Sequence, residues 1–272
     1  MVGRNWVHSV LTLLVLLGSL GLGGCVTSSI TGKQSIQIPI PVSVDVRLGL
    51  EALDQYVDDS KVITTGPDAE MVQRVMNRLI AAAGVEGEDY EWSVRLVDEP
   101  NTVNAFALPG GPMAVYTGIL PVTQTEAGLA VVMGHELGHV LERHGMNRMI
   151  LSNGTSFITS LIDLGEWGQL TQLGIQYGIE RPFGRSDESE SDHIGIILMA
   201  RAGYDPREAP KFWERMGELA GNSSGPEWMS THPSNDRRQA DLNDLLPEAL
   251  AEYQSAGSGG SSDGGMKQYD DR

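Results

Sequence analysis

His135-Glu136-Leu137-Gly138-His139 is the stretch from which the rest of the chain can be read. On a helix, residues four apart lie one above the other, so His135 and His139 share a face and can bind one metal ion. Glu136 then stands beside that ion, placed to take a proton from metal-bound water rather than to ligate. The same pattern also arises by chance on surface helices with incidental histidines, so the flanks must decide. Thr123 followed by Glu126 reads as a capping box, and Ala127, Ala130, Val131, Met133 and Leu137 form an apolar helical face. The spacing predicts a metal-bearing helix over about 123–146.

Upstream, residues 50–58 and 67–83 have helical periodicity; Pro67 and Asp68 open the second helix and Gly84 follows its end. Glu91 to Val97 alternates polar and apolar residues and reads as a strand. Residues 104–111 pass through a Pro-Gly-Gly turn into Met113-Ala114-Val115-Tyr116, the second strand of a pair. Downstream, residues 150–183 are apolar and Gly-rich and read as a helix with a loop. Helices are expected over about 186–202, ended by Gly203, and from Asp205-Pro206 to Ala220 with Asp as cap.

The N-terminus has a different character. Arg4 supplies a positive start and Val10 to Leu22 an apolar run, shorter than the roughly 20 residues that a spanning helix needs. Residues 1–24 therefore read as a secretory signal. Leu22-Gly23-Gly24-Cys25 resembles a bacterial lipobox, which makes Cys25 the expected lipidation site and mature N-terminus. Cys25 is also the sole cysteine, so no intramolecular disulfide can form. Two or three acyl chains anchor stably where one is marginal. Val26, rather than Asp, follows the cysteine, which by the rule for enteric bacteria points to an outer-membrane lipoprotein facing the periplasm.

Residues 25–49, with Ser, Thr, Pro39, Pro41 and short apolar alternation, read as a lipidated extended tether, and the Gly/Ser/Asp-rich residues from Ser255 to the end as disordered. The mature 248 residues carry 18 basic and 36 acidic side chains. That balance argues against nucleic acid and anionic lipid as partners and suits simple solubility. The length between the tails is enough for one sizeable core.

Zinc peptidases usually add a third protein ligand and leave one position open for water. The metzincin extension would need Gly at 142 and His at 145, where this chain has Glu142 and Gly145. Glu188 and Asp192, four apart, share a helical face, so one could ligate while the other holds a ligand histidine from behind. Glu190 falls on the opposite side. A solvated acidic face explains the same spacing equally well.

Five motifs in order carry a resemblance. They are Asn104-Ala105-Phe106-Ala107-Leu108-Pro109-Gly110-Gly111, the His135–His139 motif, Gly184 to Asp192, Ala202-Gly203-Tyr204-Asp205-Pro206 and Thr231-His232-Pro233. Together they are similar to the HtpX- and CAAX-protease-type zinc metallopeptidases, and most to the periplasmic lipoprotein branch that includes LoiP and BepA. The resemblance covers about residues 50–245. It implies that His135, His139 and Glu188 bind one zinc ion, that Glu136 is the general base and that Asp192 orients a ligand. His232 and Arg238 match a downstream pair; the histidine either occupies a fourth zinc position and holds the enzyme latent or faces the transition state, and the guanidinium stabilises an oxyanion. Zinc is favoured over cobalt or manganese by this donor set and by availability. Tyr204 reads as a packing residue; His144, five residues beyond His139, reads as pointing away from the metal near the helix end, and His193 as exposed or structural, so neither is expected as a ligand.

The expected architecture is one α+β domain over 50–254. A mainly helical, gluzincin-type body packs on a small antiparallel or mixed sheet from 91–97 and 104–117, with the metal at the junction. The segment around Asn104 and Ala105 supplies an edge strand onto which an extended peptide can add. The implied function is membrane-anchored cleavage of unfolded or misfolded envelope polypeptides, outer-membrane proteins among them, with the outer-membrane assembly machinery as a further partner. A chaperone lipoprotein with a latent metal site and a cell-wall amidase are the alternatives.

Overall fold

A computed structural model describes residues 24–28, 30–32, 34–37, 40–162, 167–221, 225–233 and 237–259. The segment read as a signal, ahead of Gly24, and the tail beyond Gly259 lie outside the described residues. Strands β1 (Gly24–Thr27) and β2 (Gln34–Gln37) pair antiparallel, with Cys25 opposite Ile36. Helix α1 (Val42–Tyr56) follows, so helix begins well inside the span read as tether, directly after Pro41. Its buried face, Asp45, Leu48, Gly49, Ala52 and Leu53, has the i, i+3, i+4 spacing of a packed helix.

Strand β3 (Val62–Ile63) and helix α2 (Pro67–Ala83) come next. Pro67 stands in the first turn, where its missing N–H costs nothing, and Val72, Val75, Met76, Leu79 and Ala83 line the inner face. Strands β4 (Ser93–Val97), β5 (Ala105–Ala107) and β6 (Pro112–Tyr116) complete a four-stranded sheet of order β3-β4-β6-β5. β4 and β6 are parallel and the outer pairs antiparallel, so the sheet is mixed and β5 is one edge.

After the short helix α3 (Leu120–Thr123), Gln124 takes a left-handed φ of 62° and α4 (Glu126–Leu141) begins. The cap is Thr125, whose hydroxyl accepts from the Gly128 N–H at 3.0 Å, rather than Thr123. Every residue from Gly128 to Leu141 is buried, which makes α4 the central helix and not an amphipathic surface one. Arg143 then takes a φ of 53° and α5 (His144–Ile162) departs, kinked at Gly154. The metal-bearing helix is thus shorter at both ends than the expected 123–146.

Helix α6 (Trp167–Ile175), a wide turn at Gln176–Glu180 and helix α7 (Arg185–Arg201) follow. Helix α8 (Glu208–Gly221) starts two residues beyond Pro206. Helices α9 (Glu227–Thr231) and α10 (Arg238–Gly259) close the described chain. Helix α10 carries Ser255 to Gly259 in helical form, where disorder was expected; the rest of the expected disordered tail lies outside the described residues. Among the described residues, no helix is long and apolar enough to cross a membrane. The architecture is the mainly helical α+β body with a small mixed sheet expected from the sequence.

Close packing of α4 on α7 positions the chemistry. A Cβ on Gly138 would lie 2.8 Å from the Ser191 Cα, and one on Gly195 would lie 2.8 Å from the His135 backbone nitrogen. Small residues at these crossing points let the two backbones touch, as interior packing at crystal-like density requires. The histidines of α4 and the carboxylates of α7, each pair spaced by four, are brought face to face.

Candidate metal centre

His135, His139, Glu188 and His232 each offer a ligand atom, and these atoms lie within 4.8 Å of one another in the interior. His135 Nε2 is 3.1 Å from His139 Nε2 and 3.1 Å from His232 Nδ1. Glu188 Oε1 is 3.4 Å from His139 Nε2 and 3.0 Å from His232 Nδ1. The sequence-predicted ligands therefore meet at one point, and His232 joins them as a fourth donor from the turn after α9.

The outer atoms show why a cation fits. Asp192 Oδ1 accepts from His135 Nδ1 at 2.9 Å, which leaves the His135 Nε2 lone pair pointing inward. Burial pushes the His139 imidazole well below its ordinary pKa, so it too keeps a lone pair. Two imidazole lone pairs and a carboxylate converging on one point are the donor set of a divalent metal such as zinc.

Arg238, at the start of α10, donates from Nη1 to Glu188 Oε2 at 2.6 Å and from Nε to Asp192 Oδ2 at 2.5 Å. Its guanidinium lies over the Trp213 ring at 3.7 Å. Burial alone would raise the Glu188 and Asp192 carboxyls; His232, His139 and His135 hold Glu188 well below the usual range, and Arg238 and His135 hold Asp192 below it. Burial pulls His232 down, but Glu136 and Glu188 together carry it above the ordinary imidazole value. A neutral His232 is a fourth donor, and a protonated one bridges two carboxylates. Arg238 thus clamps the two carboxylates of α7.

Glu136 stands next to this group. The Trp228 indole donates to its Oε1 at 2.8 Å and the Ala107 backbone N–H to its Oε2 at 3.2 Å. His232 Nε2 is 3.3 Å from Oε1. Trp228 precedes His232 by four residues, which was the available signal that both act on one site.

Edge strand β5 is covered. Ala105, Phe106 and Ala107 are buried, and α9 is stitched to the two residues that lead into them: Trp228 N–H donates to Val103 O at 3.1 Å and Asn104 Nδ2 to Glu227 Oε1 at 3.1 Å. The outward amides of β5 are spoken for, Ala105 by the Asn104 side chain at 2.9 Å and Ala107 by Glu136. Ala105 opens the edge strand and Asn104 directly precedes it, beneath α9.

His144 does not point away from the site. Its Nδ1 lies 3.0 Å from His139 Nδ1, and its Nε2 lies 3.4 Å from Glu190 Oε2. His193 is structural, facing Glu248 at 3.1 Å, and Tyr204 packs beneath Arg78 and donates to Glu126 at 3.2 Å.

Known proteins share this arrangement of sequence. The chain is 36% identical over 211 residues to the mitochondrial metalloendopeptidase OMA1 of Schizosaccharomyces pombe, covering 76% of this chain and 61% of that protein. It is 38% identical over 176 residues to the human metalloendopeptidase OMA1, covering 58% of this chain and 33% of that one. With the beta-barrel assembly-enhancing protease of Yersinia pestis it shares 27% identity over 274 residues, 91% of this chain and 55% of that protein. The chain thus spans between 33% and 61% of the length of these relatives. The family model of Peptidase family M48 matches residues 67–246, a span holding every member of the buried cluster from His135 to Arg238, and the chain belongs to that family.

Proposed function

We propose that the chain is a zinc-dependent endopeptidase of the bacterial envelope that cuts unfolded or misfolded polypeptides. The observation that carries this reading is the meeting of His135 Nε2, His139 Nε2 and the Glu188 carboxylate beside a buried Glu136. Zinc held by His135, His139 and Glu188 would supply Lewis acidity at a peptide carbonyl and make water acidic enough to attack near neutral pH. Glu136 accepts the proton of the attacking water on a carboxylate oxygen and returns it to the amine nitrogen as the C–N bond breaks. Asp192 keeps the His135 proton on Nδ1, and Arg238 holds Asp192 and Glu188 in register. Once uncovered, β5 can align an extended substrate by main-chain hydrogen bonds, a mode that reads backbone rather than side chains and suits unfolded chains.

The covering of β5 and the engagement of Glu136 by Trp228 favour a latent form in which α9 and His232 must withdraw before substrate can bind. The same closure is what a chaperone with a latent metal site would show. The lipobox at Cys25, and similarity to proteins named for beta-barrel assembly, support anchoring at the outer membrane and service to outer-membrane proteins. Radiolabelled palmitate incorporated by the wild type and lost in Cys25→Ala tests the anchor. A chelator-stripped protein that regains cleavage of an unfolded protein with one equivalent of zinc, while leaving muropeptides intact, supports the peptidase over the amidase; muropeptide cleavage alone would refute it.

A further inference from the structure

We infer that His144, backed by Glu190, is a positioning residue for the metal ligand His139, and this rests on the metal reading of the site. His144 is buried, with its ring centroid 5.0 Å from that of His139. Two imidazole nitrogens 3.0 Å apart, His139 Nδ1 and His144 Nδ1, must share one proton between them. The direction of that bond decides whether His139 can ligate.

Glu190 sets the direction. Its Oε2 lies 3.4 Å from His144 Nε2 and can only accept when ionised. His144 therefore carries its proton on Nε2, and its Nδ1 is left to accept from His139 Nδ1–H. His139 then has a bare Nε2, the atom that faces His135 Nε2 at 3.1 Å and Glu188 Oε1 at 3.4 Å. In the reverse arrangement a lone pair of His144 would face the Glu190 carboxylate, and the His139 proton would sit on Nε2, in the place a metal needs. Ser191 Oγ, 3.4 Å from His144 Nδ1, is a hydroxyl that suits either arrangement, so it does not decide. Each helix ligand thus has its own outer partner: Asp192 behind His135, and the His144–Glu190 pair behind His139.

The backbone makes this placement. On an unbroken helix His144, five residues past His139, would lie roughly 140° around the axis and face away. Helix α4 stops at Leu141 and Arg143 turns the chain with a φ of 53°, which swings His144 back onto His139. Arg143 is fixed there by Asp45 of α1, whose Oδ2 accepts from Nη2 at 2.6 Å.

The test is zinc affinity of the full chain, measured by competition with a chromogenic chelator, together with the visible spectrum of bound Co2+ and thermal unfolding of the metal-free protein. His144→Phe removes the acceptor and is expected to weaken zinc binding by about 10–100-fold and to shift the cobalt bands. His144→Asn places an amide oxygen near the lost Nδ1 and should recover most of the affinity. Glu190→Ala, on a partly exposed position of α7, should weaken binding in the same sense by less. A folded His144→Phe that binds zinc as tightly as wild type overturns the inference, as does an Asn variant no better than Phe. Should His144→Phe fail to fold, Glu190→Ala decides in its place, unchanged affinity and spectrum counting against the inference. Wild type that binds no zinc would instead remove the metal reading itself.

Discussion

The indole N–H of Trp228 donates to Oε1 of Glu136 at 2.8 Å, at the bottom of a site whose every member is buried. The opposite oxygen accepts from Ala107, so the carboxylate placed for proton transfer is held from the covering helix on one side and from the edge strand on the other. Trp228 is itself anchored, with Trp213 and Phe212 ring centroids at 5.1 and 5.5 Å. On the proposed mechanism a substrate breaks the first contact to reach Glu136.

Trp228→Phe keeps that aromatic packing and deletes the donor. Losing a buried hydrogen bond to a charged acceptor should cost about 1.5–3 kcal/mol of stability. Turnover of an unfolded substrate should nevertheless rise, because the closed form is what the bond favours. A lower melting temperature with unchanged or reduced turnover would show that Trp228 is structural and not a latch.

Arg238 spans Glu188 and Asp192 with a planar fork that a lysine ammonium cannot reproduce. Arg238→Ala leaves two buried carboxylates without their shared cation and should destabilise the metal-free protein by about 3–5 kcal/mol. Saturating zinc should narrow the deficit, since the metal replaces part of the lost positive charge. An equal deficit with and without zinc would place Arg238 outside the electrostatics of the site.

Asp45 and Arg143 form a buried pair that ties α1 to the end of the central helix, with side chains 1% and 5% exposed. Asp45→Ala is expected to cost about 3–5 kcal/mol by the same reasoning. Chemical denaturation would register it as a lower midpoint with unchanged slope; a loss under about 1 kcal/mol would mean that the pair is not worth its burial.

Zinc at a hundred times its dissociation constant should stabilise the fold by about 2.7 kcal/mol, or roughly 5–10 °C in melting temperature. Glu188→Gln should respond less at the same free zinc. An identical rise in that variant would take Glu188 out of the ligand set.

Much of the site was legible because its signals are local. His135, Glu136 and His139 lie on one helix, as do Glu188 and Asp192, and matched spacings of four on α4 and α7 bring them together. What the sequence hid depends on the path of the chain. The helix wheel sends His144 away from His139, and only the left-handed residue Arg143 returns it. The covering of β5 by α9 joins residues more than a hundred positions apart, Asn104 with Glu227, and no periodicity encodes that. The start of α1 at Val42 was masked by Pro39 and Pro41, which read as tether although Pro41 only precedes the helix. The cap of α4 fell on Thr125 because Gln124 breaks the chain between two short helical runs.

The most direct measurement is cleavage of a reduced, alkylated and therefore permanently unfolded protein in the presence of zinc, by wild type, His232→Ala, and each combined with Glu136→Gln. Expected is faster cleavage by His232→Ala than by wild type, with zinc retained but turnover at least about a hundredfold lower wherever Glu136 is Gln. Cleavage that survives Glu136→Gln, or zinc-loaded His232→Ala that cuts nothing, would contradict the assignment of Glu136 as the proton-transferring base of a metallopeptidase.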